Sequence, residues 1–392
     1  MNILGIFRGG FVTITEGDQK VSLDRAGFLK RLLIRLFSGF RNDYVKCENL
    51  SDRNIVYIKK DSMEQIKEST FLKIFNKTDI NVVFKDSPLP PPPEDGIKVG
   101  LPNMTSFGTF RNTCWFNTTL KFISCTDYYD TMLTGTPPDG KEELQRQLRN
   151  MVFLLRHGEE GYVHESAYKR LMDIVGKEVK GFESSGRQED APEFLMKLTE
   201  ALDWEPENKM EVAKVYNGEP KKRPKVTSVG QFDLTIPNDV KGELDVSQLM
   251  SIEEELEVRA DEDEDGTSYK YKAHDCFTHL PDTIMINVKR GALEGKRSNP
   301  IKLNDDGLVE LIEYNEESEP QKVRRYKIAA SMTHRGETVR SGHYVCEERI
   351  EGGTVTHSDM SIEPADDPNM GTRGYYLRLE LVKEESVSDE GT

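Results

Sequence analysis

Four consecutive prolines, Pro90 to Pro93 in "KDSPLPPPPEDG", constrain this chain more than any other stretch. Each proline lacks a backbone N–H and holds φ near −65°, so four in a row enter neither a helix nor the interior of a sheet. Such a run is stiff and extended. It divides the 392 residues into a first region, 1–86, a linker, 87–96, and a second region, 97–383, followed by an acidic tail, 384–392. The length also suits two or three folded units better than one.

In the first region "ILGIFRGGFVTITE" reads as a hairpin turning at Gly9-Gly10. "LDRAGFLKRLLIRLFSGF" carries an amphipathic helical pattern that ends near Gly39, and "NIVYIKKD" and "INVVFKD" read as strands. That order fits a small α+β domain of β-grasp, ubiquitin-like or similar kind. The second region is helical in pattern in its first half. Its second half holds strand-like segments: "VTSVGQFDLTIP", "TIMINVKR", "YKIAASMTH", "HYVCEERI" and "GYYLRLELV". The acidic run "RADEDEDG" reads as a solvated loop, and the tail "EESVSDEGT" as disordered.

The formal net charge of −16 excludes nucleic acid as the main partner, since binding phosphates needs a basic surface. It suits a basic partner or simply solubility. No apolar run is long enough to span a bilayer, and the N-terminus lacks the basic start and apolar stretch of a signal peptide. Five widely spaced cysteines, Cys47, Cys114, Cys125, Cys276 and Cys346, fit a reduced chain inside the cell, in cytoplasm or nucleus, rather than a disulfide framework.

One cysteine has a distinctive setting. In "FRNTCWFNTTLKFI" the residues Phe116, Leu120 and Ile123 recur on one helix face, and Asn112 and Thr113 supply capping-type side chains before it. Cys114 therefore falls in the first turn of a helix, where the dipole favours a thiolate. A nucleophilic thiol also needs a base. Of the seven histidines, His343 follows Ser341-Gly342 at the entry to a strand, and a glycine there permits close approach of another group.

At these residues the sequence resembles the ubiquitin-specific proteases, a family of papain-like cysteine hydrolases. "SFGTFRNTCWFNTTL" is similar to the family's cysteine box, keeping Asn112, Thr113, Cys114, Asn117 and Leu120. "QEDAPEFL" is similar to its Q-Q-D-A-x-E-F-L box through Asp190, Glu193 and Phe194. "LPDTIMINVKRG" resembles a third box, and Tyr326, His334, Gly336, Gly342, His343, Tyr344, Tyr376 and Leu377 match the closing boxes. The resemblance implies an α+β fold with a helical thumb, a β-rich palm and a fingers sheet. It implies hydrolysis of the isopeptide bond after the C-terminal glycine of ubiquitin, with ubiquitin and ubiquitinated proteins as partners and a monomeric enzyme free of cofactor, nucleic acid and membrane. Cys114 is then the nucleophile and His343 the base, while Asp190, Glu193, Gly342 and Tyr344 bind substrate. Asp190 and Glu193 equally form a helix capping box, with Pro192 in its first turn.

Three positions depart from the family pattern. Its oxyanion asparagine is Thr109 here, a nearby glycine is Arg111, and the residue that orients the histidine aligns with Ser358 in "HSDMSI", followed by Asp359. On a strand Ser358 and Asp359 face opposite ways, so one of them serves His343. These departures leave two alternatives beside the enzyme: a ubiquitin-binding pseudoenzyme that acts as a scaffold, and a protease for a ubiquitin-like modifier. The paired C-x-x-C zinc sites that the family's fingers often carry are missing. "HDCFTH" offers His274, Cys276 and His279, too few for a structural zinc that takes about four ligands.

Overall fold

A computed structural model of the chain describes residues 11–16, 19–24, 44–49, 55–59, 80–83, 89–102, 112–157, 161–163, 165–182, 188–218, 222–259, 268–292, 295–315, 318–338, 341–365 and 367–387. They fall into two compact units. One comprises Met1–Trp204 with His357–Glu363, the other Glu205–Thr356 with Pro364–Thr392.

In the first unit β1 (Phe11–Glu16) pairs antiparallel with β2 (Gln19–Asp24), placing Glu16 opposite Gln19. This hairpin reverses between those two residues. The expected turn at Gly9-Gly10 lies outside the described residues. So does most of the expected helix, but its first two positions, Leu23 and Asp24, belong to β2. β3 (Tyr44–Asn49), which the sequence pattern did not reveal, is the middle strand between β4 (Ile55–Lys59) and β5 (Ile80–Val83). The last two coincide with the expected strands. These five strands pair only antiparallel, so the parallel central pair of a β-grasp is not found among the described residues.

The proline run is extended but not free. Gly96 N–H donates to the Pro93 carbonyl at 3.0 Å, which closes a turn at Glu94-Asp95. Pro90 is buried, and its carbonyl accepts from Nη1 of Arg156 at 2.8 Å. β6 (Val99–Gly100) follows, then α1 (Cys114–Ser124), α2 (Asp130–Thr134), α3 (Glu142–His157), β7 (Gly161–Tyr162), α4 (Glu165–Glu178) and α5 (Ala191–Ala201). β6 pairs parallel with β7.

Every residue of α1 is buried, so this helix is the axis of the unit and not a surface element. Its aromatic side packs on α5. The Phe194 ring lies 4.9 Å from Trp115, 5.4 Å from Phe116 and 5.0 Å from Phe182, close enough for edge and tilted contacts worth more than burial alone. At the start of α5 the Asp190 carboxylate accepts from Glu193 N–H at 2.9 Å, with Pro192 in the first turn and Glu193 exposed. Asp190 is thus an N-cap, whatever else it contacts.

Arg156 on α3 binds the helix ends together. Nε donates to the Ser124 carbonyl at 2.9 Å, and Nη2 to the Thr126 carbonyl at 2.5 Å and to Asp130 Oδ1 at 2.7 Å. Nη1 reaches Asp130 Oδ2 at 3.0 Å as well as Pro90. The guanidinium is fully buried. Its planar fork meets the carboxylate with both nitrogens, a geometry that lysine does not offer.

The second unit is built on one mixed sheet. Its elements are β8 (Met210–Asn217), β9 (Lys225–Val229), β10 (Phe232–Thr235), α6 (Val246–Met250), β11 (Glu254–Arg259), β12 (Ser268–His279), β13 (Thr283–Lys289), β14 (Gly291–Ala292), β15 (Gly295–Lys296), β16 (Val309–Tyr314), β17 (Pro320–Thr338), β18 (Ser341–Ile350) and β21 (Tyr376–Ser386), while β19 (Gly353–Ser358) and β20 (Ser361–Ala365) are divided between it and the first unit, which takes His357–Glu363. The order is β10-β13-β21-β17-β16-β12-β8-β9, with β11 on β12, and with β18 joining β17 to β19. Residues Ile328 to His334 of β17 are all buried, the mark of a strand covered on both faces. Ile284, Ile286, Leu311, Tyr326, Leu377 and Leu379 fill the core beside it.

β21 continues to Ser386, beyond the tail boundary expected at 384. Glu384 pairs with Arg324 at 3.0 Å and Glu385 with Arg325 at 2.7 Å, so basic residues of β17 hold the start of the acidic tail in the sheet. Val387 N–H still donates to the Gln321 carbonyl at 2.8 Å, while residues 388–392 lie outside the described residues, as does the acidic run "RADEDEDG" after its first residue, Arg259, which ends β11. In β12 the register shifts between Phe277 and His279. Cys276 is buried, with its thiol pushed up to about 11 by that burial, while His279 is exposed. Among the described residues no three His, Cys, Asp or Glu side chains cluster as a metal site, and no helix is long and apolar enough to cross a membrane.

Candidate active site

Cys114 is the first residue of α1, and its side chain is buried. The N-cap is Thr113, but it makes no side-chain capping bond, contrary to the expectation from its type. Asn112 has φ of 56°, a left-handed value that asparagine tolerates better than most residues. The chain therefore turns sharply into the helix at Cys114. No acidic residue occupies the first turn of the helix, so the dipole acts on the sulfur without a competing carboxylate from the helix itself. Thr109 and Arg111 lie outside the described residues. Cys125, Cys276 and Cys346 are thiols outside any disulfide and are buried like Cys114.

One turn along α1, Asn117 collects three partners. Its Nδ2 donates to Asp359 Oδ1 at 2.7 Å and to the Pro102 carbonyl at 3.2 Å, and its Oδ1 accepts from the Tyr168 hydroxyl at 2.6 Å. Tyr168 is completely buried. Burial, more than any other cause, holds its hydroxyl well above the usual tyrosine range, so it stays protonated and donates. Asp359 does not continue β19. The strand ends at Ser358, and Asp359 sits in a turn at φ 51°, with its backbone carbonyl accepting from Leu101 N–H at 3.0 Å. The expected alternation of Ser358 and Asp359 along one strand is therefore corrected: their directions are set by a turn, and Asp359 is joined to the cysteine helix through Asn117.

His343 belongs to the second unit. It lies near the start of β18, half-buried, opposite Arg335 of β17. The neighbouring cross-strand pair is His334 and Tyr344, with rings 4.6 Å apart and both buried. Burial first, then the charge of Lys296, lowers His334 to about 4, so this imidazole is neutral at physiological pH. Lys296 Nζ donates to the carbonyls of His334 and Gly336, at 2.5 and 2.8 Å.

Gly342 has a packing reason. A methyl group on it would lie 2.5 Å from the Arg335 carbonyl oxygen and 2.6 and 2.7 Å from atoms of the His334 ring. The close approach foreseen at this glycine is thus made by a strand and a histidine of the same sheet. Gly342→Ala is expected to destabilise the chain by about 1–3 kcal/mol through overpacking. Urea unfolding checks this; an unchanged midpoint would contradict it.

Tyr168 carried no signal in the sequence, since no motif surrounds it. Asn117 stood in the cysteine box without a role, since nothing in one dimension links it to a residue 242 positions away.

The model of the family described as ubiquitin carboxyl-terminal hydrolase matches residues 100–378. The chain belongs to that family. No curated protein matches the sequence. Among solved structures the chain is similar to the SAGA Ubp8/Sgf11/Sus1/Sgf73 DUB module bound to ubiquitin aldehyde, at 17% identity and a TM-score of 0.56, covering 74% of this chain and 70% of that one. A SAGA DUB module bound to monoubiquitin matches at 13% identity and a TM-score of 0.54, over 91% and 85% of the two chains. At such identities the likeness speaks for the fold. This ubiquitin carboxyl-terminal hydrolase therefore has the α+β ubiquitin-specific protease fold.

Proposed function

We propose that the chain is a thiol-dependent deubiquitinase that hydrolyses the peptide or isopeptide bond after the C-terminal glycine of ubiquitin. The observation that carries the reading is a buried cysteine at the first position of an enclosed helix, inside a ubiquitin carboxyl-terminal hydrolase domain. Cys114 attacks the carbonyl carbon as the thiolate. His343 takes the thiol proton and returns it to the leaving amine, then activates water to release the acyl group. Ser358 orients the imidazole, with Asp359 beside it. Thr109 and the Cys114 backbone N–H stabilise the oxyanion. Asp190, Glu193, Gly342 and Tyr344 border the substrate path. Ubiquitin and its conjugates are the partners, which the ubiquitin-bound state of the similar structures supports. Those structures are multi-subunit modules and give no support to a monomer.

The scaffold reading draws its support from the same three departures, Thr109, Arg111 and Ser358. Thr109 decides between the two most cleanly. Its hydroxyl reaches less far than an asparagine amide, so Thr109→Asn, alone or with Arg111→Gly, is expected to raise kcat by as much as ~10²-fold. KM should change little, because the donor acts on charge present only in the transition state. Steady-state kinetics on a fluorogenic ubiquitin C-terminal amide provides the check. Parental rates in both variants would remove the oxyanion site as the limitation.

A further inference from the structure

We infer that Asn117, with its amide braced from behind by Tyr168, is a positioning residue that holds the Ser358–Asp359 turn against the first turns of the cysteine helix. This rests on the proposed thiol hydrolysis and adds two residues to its machinery. An asparagine amide is nearly symmetric in shape, so something must decide which end faces a carboxylate. Here two groups that only accept, the Asp359 carboxylate and the Pro102 carbonyl, decide it by taking the N–H bonds. The Tyr168 hydroxyl, 2.6 Å from the amide oxygen, donates to the other end and braces that orientation. The reverse orientation would set the amide oxygen against the Asp359 carboxylate and the Pro102 oxygen together.

Three segments meet at this one side chain. Cys114 lies three residues before Asn117, on the same face of α1. Pro102 is the last described residue before the segment that carries Thr109. Asp359 follows Ser358 directly and holds a left-handed backbone conformation, which aspartate tolerates better than most residues but which contacts from other segments still stabilise. The charge-assisted bond from Asn117 is one such contact, reinforced by Leu101 N–H on the Asp359 carbonyl. The side chain is 2% exposed, and Tyr168 is fully enclosed, so water does not compete for these bonds.

The test compares the parent chain with Tyr168→Phe and Asn117→Asp. The phenylalanine keeps the ring and its packing on Phe116 but loses the hydroxyl. The aspartate keeps the shape but faces Asp359 with a like charge; the titratable groups in contact with position 117 are Asp359 and Tyr168, and Cys114 acts in turn on Tyr168. On the fluorogenic ubiquitin substrate kcat should fall roughly 10-fold in Tyr168→Phe and roughly 10²-fold in Asn117→Asp near pH 8, with KM unchanged. The ratio of parent to Asn117→Asp should narrow below pH 6, where the two carboxylates share a proton. A purely structural loss would not follow pH in this way. In both variants, amide exchange of Leu101 and of residues 356–362 should accelerate. Parental kcat in both, a ratio flat in pH, or a loss of ubiquitin affinity in step with kcat would each overturn the inference while leaving the hydrolase reading intact. If the parent itself neither turns over nor is labelled at Cys114, the hydrolase reading fails. The exchange rates then judge the positioning role alone: faster in both variants supports it, and unchanged overturns it.

Discussion

Cys114→Ala is expected to lower turnover of a ubiquitin substrate on the order of 10⁶-fold, the loss found when the nucleophile is removed from a triad hydrolase. Affinity for ubiquitin should stay within a few-fold, because the substituted atom is one sulfur in a buried helix start and not part of a broad contact surface. His343→Ala should cost nearly as much, and the double variant scarcely more, since a nucleophile and its base act as one unit. Single-turnover kinetics beside equilibrium binding separates the two quantities. A Cys114→Ala protein that still cleaves would place the chemistry elsewhere.

The second large effect is on stability. Arg156→Met should destabilise the first unit by about 3–5 kcal/mol, the range found when one partner of a buried ion pair is removed. Methionine fills much of the volume but donates nothing. The carbonyls of Pro90, Ser124 and Thr126 and the carboxylate of Asp130 then lose a donor at once. Because Pro90 is one of these acceptors, protease sensitivity in the proline run should rise together with the fall in thermal midpoint. A midpoint shift below that of an ordinary surface substitution would contradict the assigned role.

The comparison of sequence with structure turns on particular residues. Helix α1 and its cysteine were legible because apolar spacing and motif order are local properties. Strands β13, β17, β18 and β21 were legible as well, each being a long run of strand-forming residues. β3 was missed, since "YVKCEN" mixes charged and polar residues into a strand only six residues long. The docking of the proline run was not legible, because it depends on Arg156, 66 residues further on. The same limit applies at the site. Ser358 and Asp359 look like consecutive strand residues until the left-handed backbone at Asp359 appears, and that conformation is sustained by Asn117 and Leu101 from distant segments. Gly342 illustrates the converse. Its need for close approach was readable, whereas the group that approaches, the His334 ring, was not.

Reaction with ubiquitin bearing a C-terminal electrophile tests the central claim most directly. The full chain should form a one-to-one covalent adduct, mapped by peptide mass analysis to Cys114, and Cys114→Ala should bind the same probe without forming it. An adduct at another cysteine, or tight binding by the parent with no adduct at all, would contradict the hydrolase reading.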